Sequence, residues 1–143
     1  MKLGKNGRKT VILFMHVYKH KPMIGIGVDI ETIDRFKKND VLHSQSLLNK
    51  IYTKKELKYS FSKKNPAQHL AVRYVAKEAV FKACSSLGIL ITNYKKIEIF
   101  NTRKGVPFAR IHDSNINLLN IIISLSHCSD KAIAFALVIL NNK

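Results

Sequence analysis

The chain has 143 residues, 46% of them apolar and spread along its length, enough for one domain with a core and incompatible with disorder throughout. No apolar run approaches the ~20 residues a membrane helix needs, and Cys84 and Cys128 fit neither a metal-ligand spacing nor a disulfide framework, so free thiols in a reducing compartment are expected. Twenty-five Lys and Arg against nine Asp and Glu leave a net charge of +16, which points to an anionic partner: nucleic acid, a phosphate-rich cofactor or an acidic protein.

Residues 1–22 hold six basic residues and no acid, with one short apolar run, VILFM, and no small-residue cleavage site. They read as a basic amino-terminal extension, targeting or flexible, ahead of a single domain over 23–143. The next segment, MIGIGVDI, alternates as a strand does: Ile24, Ile26, Val28 and Ile30 on one face, Gly25, Gly27 and Asp29 on the other. The aliphatic face is expected to be the core face. The glycine face, bare backbone ending in one carboxylate, is expected to leave room for something to lie across it.

Residues 41–61 read as helix in two pieces, the second opened by a capping box of Thr53 and Glu56. A long helix follows, with Asn65 as N-cap, Pro66 at its first position and Gln68 placed to complete a second box. It should end at Gly88 after ~22 residues and ~33 Å, and being apolar on most sides it should form the spine. KKIEIF and VPFARI around NTRKG predict one hairpin, and IIISLS and KAIAFALVIL around HCSD another. The fold class is therefore α+β, a largely antiparallel sheet packed on a long central helix.

Within that helix, RYVAKEAVFKA sets Glu78 among Ala71, Tyr74, Val75 and Phe81. A surface Glu78–Lys82 pair at i,i+4 would stabilise by only a few tenths of a kcal/mol. A carboxylate among apolar neighbours needs a cation, because leaving it unpaired is costly or keeps it protonated. Two candidates arise: Lys82, or a divalent metal shared with a second acid. Asp29, leaving the glycine-backed strand, is the second acid best placed by pattern. Two carboxylates with phosphate oxygens and water would make an octahedral magnesium site, with Lys82 facing phosphate and Gly25 and Gly27 making room. Near the carboxyl end, SLSHCSD places Ser124 and Ser126 on one strand face and His127 at the turn. No glycine elbow surrounds either serine, so phosphate or substrate contact suits them better than nucleophilic attack.

Taken together and in this order, IGIGVDIETIDRF, IYTKKEL, RYVAKEAVFKA, KGVP and SLSHCSDKAIA resemble the holo-acyl-carrier-protein synthase family, the short bacterial-type branch of the 4′-phosphopantetheinyl transferases. The resemblance runs from Met23 to about Leu140. It implies transfer of 4′-phosphopantetheine from coenzyme A to a serine of apo acyl carrier protein, with Mg2+ as cofactor and adenosine 3′,5′-bisphosphate released, in support of fatty acid biosynthesis. Asp29 and Glu78 fall on the family's magnesium ligands and Lys82 on its phosphate lysine, so Glu78 and Lys82 are the catalytic candidates. Lys64, Arg73 and His127, with Lys82, fall on positions that contact the coenzyme, and Arg35 on one that meets the acidic helix of the carrier protein. The serine's proton would pass to Glu78 or to a metal-bound water. The family's homotrimers carry their active sites between protomers. Arg73 lies about 140° around the helix from Glu78, so it is expected to serve a neighbouring subunit's site.

Two other readings compete with the transferase. A basic nucleic-acid-binding module fits the charge, although no zinc-finger, aromatic RNA-binding or helix-turn-helix pattern is present. A metal-dependent nuclease fits the acid–acid–lysine set, although E-x-x-x-K on a helix is not its usual strand-borne form. The cytoplasm is the expected location, with organellar import the alternative that the basic extension raises.

Overall fold

The computed structural model describes residues 23–37, 45–114, 116 and 119–141; the basic segment 1–22 and the start of the helical region at 41–44 lie outside the described residues. Strand β1 (Ile24–Thr32) leads into a single helical turn, α1 (Asp34–Lys37). Two short helices follow, α2 (Gln45–Ile51) and α3 (Lys54–Phe61), and then the long α4 (Pro66–Ser86). A 3-10 turn (Tyr94–Lys96) introduces β2 (Ile97–Asn101), after which come β3 (Pro107–Ile111), β4 (Leu119–His127) and β5 (Lys131–Leu140).

Both expected hairpins form. β2 and β3 make a two-stranded antiparallel sheet, while β4 and β5 join β1 in a second antiparallel sheet of order β1-β5-β4. The three-stranded sheet lies against α4. This is the α+β arrangement the sequence predicts.

The helix ends follow the sequence signals with one exception. Thr53 Oγ1 accepts from the Glu56 amide while Glu56 Oε2 accepts from the Thr53 amide at 2.7 Å, closing the box at α3. Asn65 caps α4 by accepting from the Gln68 amide, and Gly88 takes the left-handed φ of 73° that stops it. Gln68 does not close a second box; its carboxamide is 2.8 Å from His127 Nε2.

The faces of β1 are the reverse of the expectation. Ile24, Ile26, Val28 and Ile30 are exposed, Ile26 at 59%, and the glycine face is the buried one. What lies across the glycines is α4. A Cβ on Gly27 would stand 1.9 Å from the Ala79 carbonyl oxygen, and one on Gly25 2.1 Å from that of Ala83. The same inner face continues in Ala132, Ala134, Ala136 and Val138 of β5, all buried. Small residues let the helix backbone approach the sheet, so the glycines make room for the protein's own spine and not for a ligand.

The outer face is correspondingly apolar. Across the three strands, register sets Ile26, Leu137 and Ile122 in one row, Val28, Phe135 and Ser124 in the next, then Ile30, Ile133 and Ser126. The row of Ile24, Ile139 and Asn120 lies at one end of this face and Thr32 with Lys131 at the other, so Lys131 is the one charged residue these three strands place on it, on a chain of net charge +16.

Candidate active site

The helix–sheet contact aligns β1 with α4 turn by turn. Gly25 meets Ala83 and Gly27 meets Ala79, so two residues of strand correspond to about one helical turn. Asp29, two residues on and on the same face, therefore lies beside the turn that carries Glu78.

Lys82 bridges the two elements. Its Nζ is 2.9 Å from Asp29 Oδ1 and 3.0 Å from the Val28 carbonyl oxygen, with the lysine side chain 50% and the aspartate 18% exposed. The i,i+4 pair of Lys82 with Glu78 does not form, and Glu78 makes no ion pair among the described residues. Of the two cations considered for Glu78, Lys82 is not its partner here: the strand aspartate takes the lysine.

Two tyrosines lie near Glu78. Tyr74 precedes it by one turn on the same helix, and Tyr94 comes from the 3-10 turn. The Tyr94 ring stacks on Tyr74 at 6.5 Å and on Phe81 at 5.5 Å, and so lies along the helix face that Glu78 occupies. Burial pushes both phenol pKa values up, and the negative charges of Glu78 and Asp29 add to this. Arg35 forms an ion pair with Glu31 and lies over the Tyr74 ring at 5.5 Å, at the rim of the same region.

The other candidates gather near the start of α4. Arg73 is buried with its guanidinium 4.0 Å from the centre of the Tyr59 ring, donating to Asn101 Oδ1 at 3.2 Å and the His69 carbonyl at 3.3 Å, while its Nε has no partner. Lys63 lies 4.4 Å from the same ring, and His69 meets it edge-on. His127 touches Gln68 of the first turn, and Lys64 is exposed just before the N-cap. Burial, then the charges of Arg73, Lys63 and His127, lowers the His69 pKa. From Gln68 to Glu78 is ten residues, or about 15 Å of helix, so one chain holds its candidates in two groups.

Tyr59, Lys63, His69 and Tyr94 went unread in the sequence. The i,i+4 spacing of Tyr74 and Glu78 was a usable signal, but nothing in the pattern ties Tyr94 to Glu78, sixteen residues earlier. A cleft between β3 and β4, lined by Phe100, Phe108, Arg110, Leu119 and Ile121, contains none of the candidates.

The donor set suits Mg2+. Asp29 and Glu78 offer only carboxylate oxygens, the ligands a hard cation takes, and two protein ligands leave positions for phosphate oxygens and water. With Lys82 the three side chains sum to one negative charge, which favours a cation.

The family model described as ACPS, 4′-phosphopantetheinyl transferase superfamily, matches residues 25–136. The chain belongs to this superfamily. Among curated relatives, the holo-[acyl-carrier-protein] synthase of Thermodesulfovibrio yellowstonii is 40% identical over 114 residues, covering 80% of this chain and 96% of the relative. The enzyme of the same name from Chlamydia muridarum is 40% identical over 123 residues, covering 84% and 98%. The fold agrees with the solved ACPS–CoA complex of Chronobacterium ammoniagenes, at a TM-score of 0.72 and 23% identity over 85% of this chain and all of that one. The holo-(acyl-carrier-protein) synthase of Bacillus anthracis, solved with CoA (3′,5′-ADP), superposes at a TM-score of 0.68 and 25% identity over 84% of this chain and all of that one.

Proposed function

We propose that this phosphopantetheinyl transferase moves 4′-phosphopantetheine from coenzyme A to a serine of apo acyl carrier protein, releasing adenosine 3′,5′-bisphosphate and supporting fatty acid biosynthesis. The observation that carries the reading is the Lys82–Asp29 ion pair where β1 crosses α4, one helical turn from Glu78. Family membership favours it over the nucleic-acid-binding and nuclease readings, which share only the charge and the acid–acid–lysine set.

Attack of the serine hydroxyl on the β-phosphorus breaks the bridging P–O bond of the coenzyme's diphosphate and builds negative charge on the departing 5′-phosphate of adenosine 3′,5′-bisphosphate. Asp29 and Glu78 would hold Mg2+, which supplies positive charge to the phosphate oxygens. Lys82 is half exposed and one side-chain rotation from Asp29, so its ammonium can follow that charge onto a phosphate oxygen as it develops. The nucleophile belongs to the partner, so this chain needs no activated serine. Arg35, at the rim, suits the acidic surface of a carrier protein, and the overall charge steers the encounter.

Lys64, Arg73 and His127 are assigned to the coenzyme on a second chain. Their distance along α4 from Glu78 supports a site assembled from two protomers, and the largely apolar outer sheet face offers the surface to assemble on. A homotrimer is the proposed state. No helix among the described residues is long and apolar enough to cross a membrane, and the cytoplasm is the proposed location.

The test is to incubate the protein with apo acyl carrier protein, coenzyme A and Mg2+ and weigh the carrier by mass spectrometry. The expected gain is one phosphopantetheine, lost on chelation and in Asp29→Ala and Glu78→Ala. An unmodified carrier, with nucleic acid bound or cut, would overturn the reading.

A further inference from the structure

Gln68 stands where a capping box would use it, yet its side chain is turned to His127 at the end of β4, 59 residues along the chain. A series of hydrogen bonds fixes how it is turned. The Gln68 backbone amide can only donate, and its acceptor at 3.5 Å is Asn65 Oδ1. That sets the Asn65 carboxamide, whose Nδ2 donates to Gln68 Oε1 at 3.4 Å. With its oxygen engaged by Asn65, Gln68 presents its NH2 group to the imidazole, Nε2 to Nε2 at 2.8 Å. An amide NH2 only donates, so His127 Nε2 accepts and the ring hydrogen lies on Nδ1. Turning over Gln68 alone would set its NH2 against Asn65 Nδ2, and turning over Asn65 would set Nδ2 against the Gln68 amide. The ring is exposed, and Nδ1 makes no hydrogen bond among the described residues.

We propose that Gln68 is a positioning residue for His127, holding its imidazole as the Nδ1–H tautomer so that a directional N–H donor faces the oxygens of coenzyme A. The inference rests on the reading of His127 as a coenzyme contact and extends it to a residue that touches no substrate. An exposed imidazole exchanges between two tautomers and rotates about its side-chain bonds. A hydrogen bond to one ring nitrogen selects the tautomer and limits the rotation, which aims the other nitrogen. Lys64 and Arg73 already bring charge to the start of α4, so what His127 adds is direction. Asn65 begins both the helix and this series of bonds, so the cap that stops the helix fraying also orients the ring.

Proton–nitrogen correlation NMR of the imidazoles reads the tautomer directly, on the isotopically labelled full chain at about pH 8, above the ordinary histidine range. His127→Asn identifies the signals by their loss. The unaltered protein should show the hydrogen on Nδ1 and a bare Nε2. Gln68→Leu, which takes away the donor, should release the ring to the mixture of tautomers that an exposed histidine shows. Gln68→Glu, whose carboxylate only accepts, should move the hydrogen to Nε2. In the transfer assay Gln68→Leu should raise KM for coenzyme A about fivefold, the worth of one hydrogen bond. Its kcat should stay within about twofold and KM for the carrier should not change. In a His127→Asn background the same substitution should add nothing further. A hydrogen on Nε2 in the unaltered protein, or an unchanged tautomer in both Gln68 variants, would overturn the positioning role. So would a lower melting temperature in Gln68→Leu with tautomer and KM both spared, since that is helix capping alone. A changed tautomer with an unchanged KM for coenzyme A would leave the ring assignment standing and overturn the coenzyme contact beneath it.

Discussion

Lys82 reaches across from α4 to Asp29 on β1, 2.9 Å away, and passes over Glu78, the acid one turn before it on its own helix. An i,i+4 pair would have been a local surface contact. The pair that forms joins residues 53 apart in sequence and leaves Glu78 without an ion-pair partner among the described residues. The site therefore divides its charges between an ammonium paired with one carboxylate and a second carboxylate outside that pair, a division suited to binding a metal while charge shifts onto a leaving group.

Lys82→Ala tests that division. Removing a charge that stabilises the transition state should reduce the transfer rate by about 10²- to 10³-fold. The half-exposed pair should contribute no more than about 1 kcal/mol to stability. Initial rates from carrier mass and a urea titration of the same variant give both quantities. A large loss of stability with little loss of rate would make Lys82 a structural tie.

Gly27 separates packing from chemistry. Its missing side chain is where the Ala79 carbonyl sits, 1.9 Å from any added Cβ, and both partners are backbone. Gly27→Ala should therefore destabilise by about 3 kcal/mol or more, because neither strand nor helix can yield without moving the sheet. A urea midpoint close to that of the unaltered protein would show that the approach is looser than described.

Much of this was legible in the chain. Thr53 with Glu56, Asn65 with Pro66, and Gly88 marked the helix ends, and alternation marked the strands, because these signals are local. The assignment of faces on β1 was not local. Alternation identifies two faces but not which is buried, and on a monomer the aliphatic one is the natural choice. Here the helix needs the small residues, Gly25, Gly27, Ala134 and Ala136, and the aliphatic side chains are left outside. Asp29 and Glu78 were singled out by their types and pattern. The place of Tyr94 and the buried ion pair of Lys77 with Glu56 were not legible, since each depends on contacts made across the fold.

A separate acid-sensitive tie holds the β2–β3 hairpin to α3. Glu98 is buried, accepts from Thr53 Oγ1 at 3.2 Å, and lies 2.9 Å from His112 Nε2. Burial alone would raise its pKa; the His112 hydrogen bond, the Lys55 charge and the Thr53 hydrogen bond outweigh that and hold it below 4.5. Its contribution to stability is therefore complete above the unfolded value and lost as pH falls through the folded one. His112→Ala should remove about 1 kcal/mol at pH 7 and move the onset of acid unfolding to higher pH, followed by circular dichroism from pH 7 to 3. An unchanged onset would mean that Glu98 does not depend on His112.

The outer sheet face and the two separated groups on α4 make one joint prediction. If the largely apolar face of β1, β5 and β4 is the contact between protomers, Phe135→Asp should convert the assembly to monomers in light scattering, since a charge would be buried among its apolar rows. The monomer should keep its fold, because Phe135 is exposed within a single chain, and should lose transfer because Arg73 and His127 no longer reach a second chain's Asp29 and Glu78. Complementation tests the geometry without breaking the contact. Asp29→Ala and Arg73→Ala should each be weak alone. Dissociated and reassembled together in equal amounts, they should recover about a quarter of the unaltered rate, the share of sites that draws an intact residue from each protomer of a closed ring. Sites contained within single chains would recover nothing, since every chain in the mixture carries one defect.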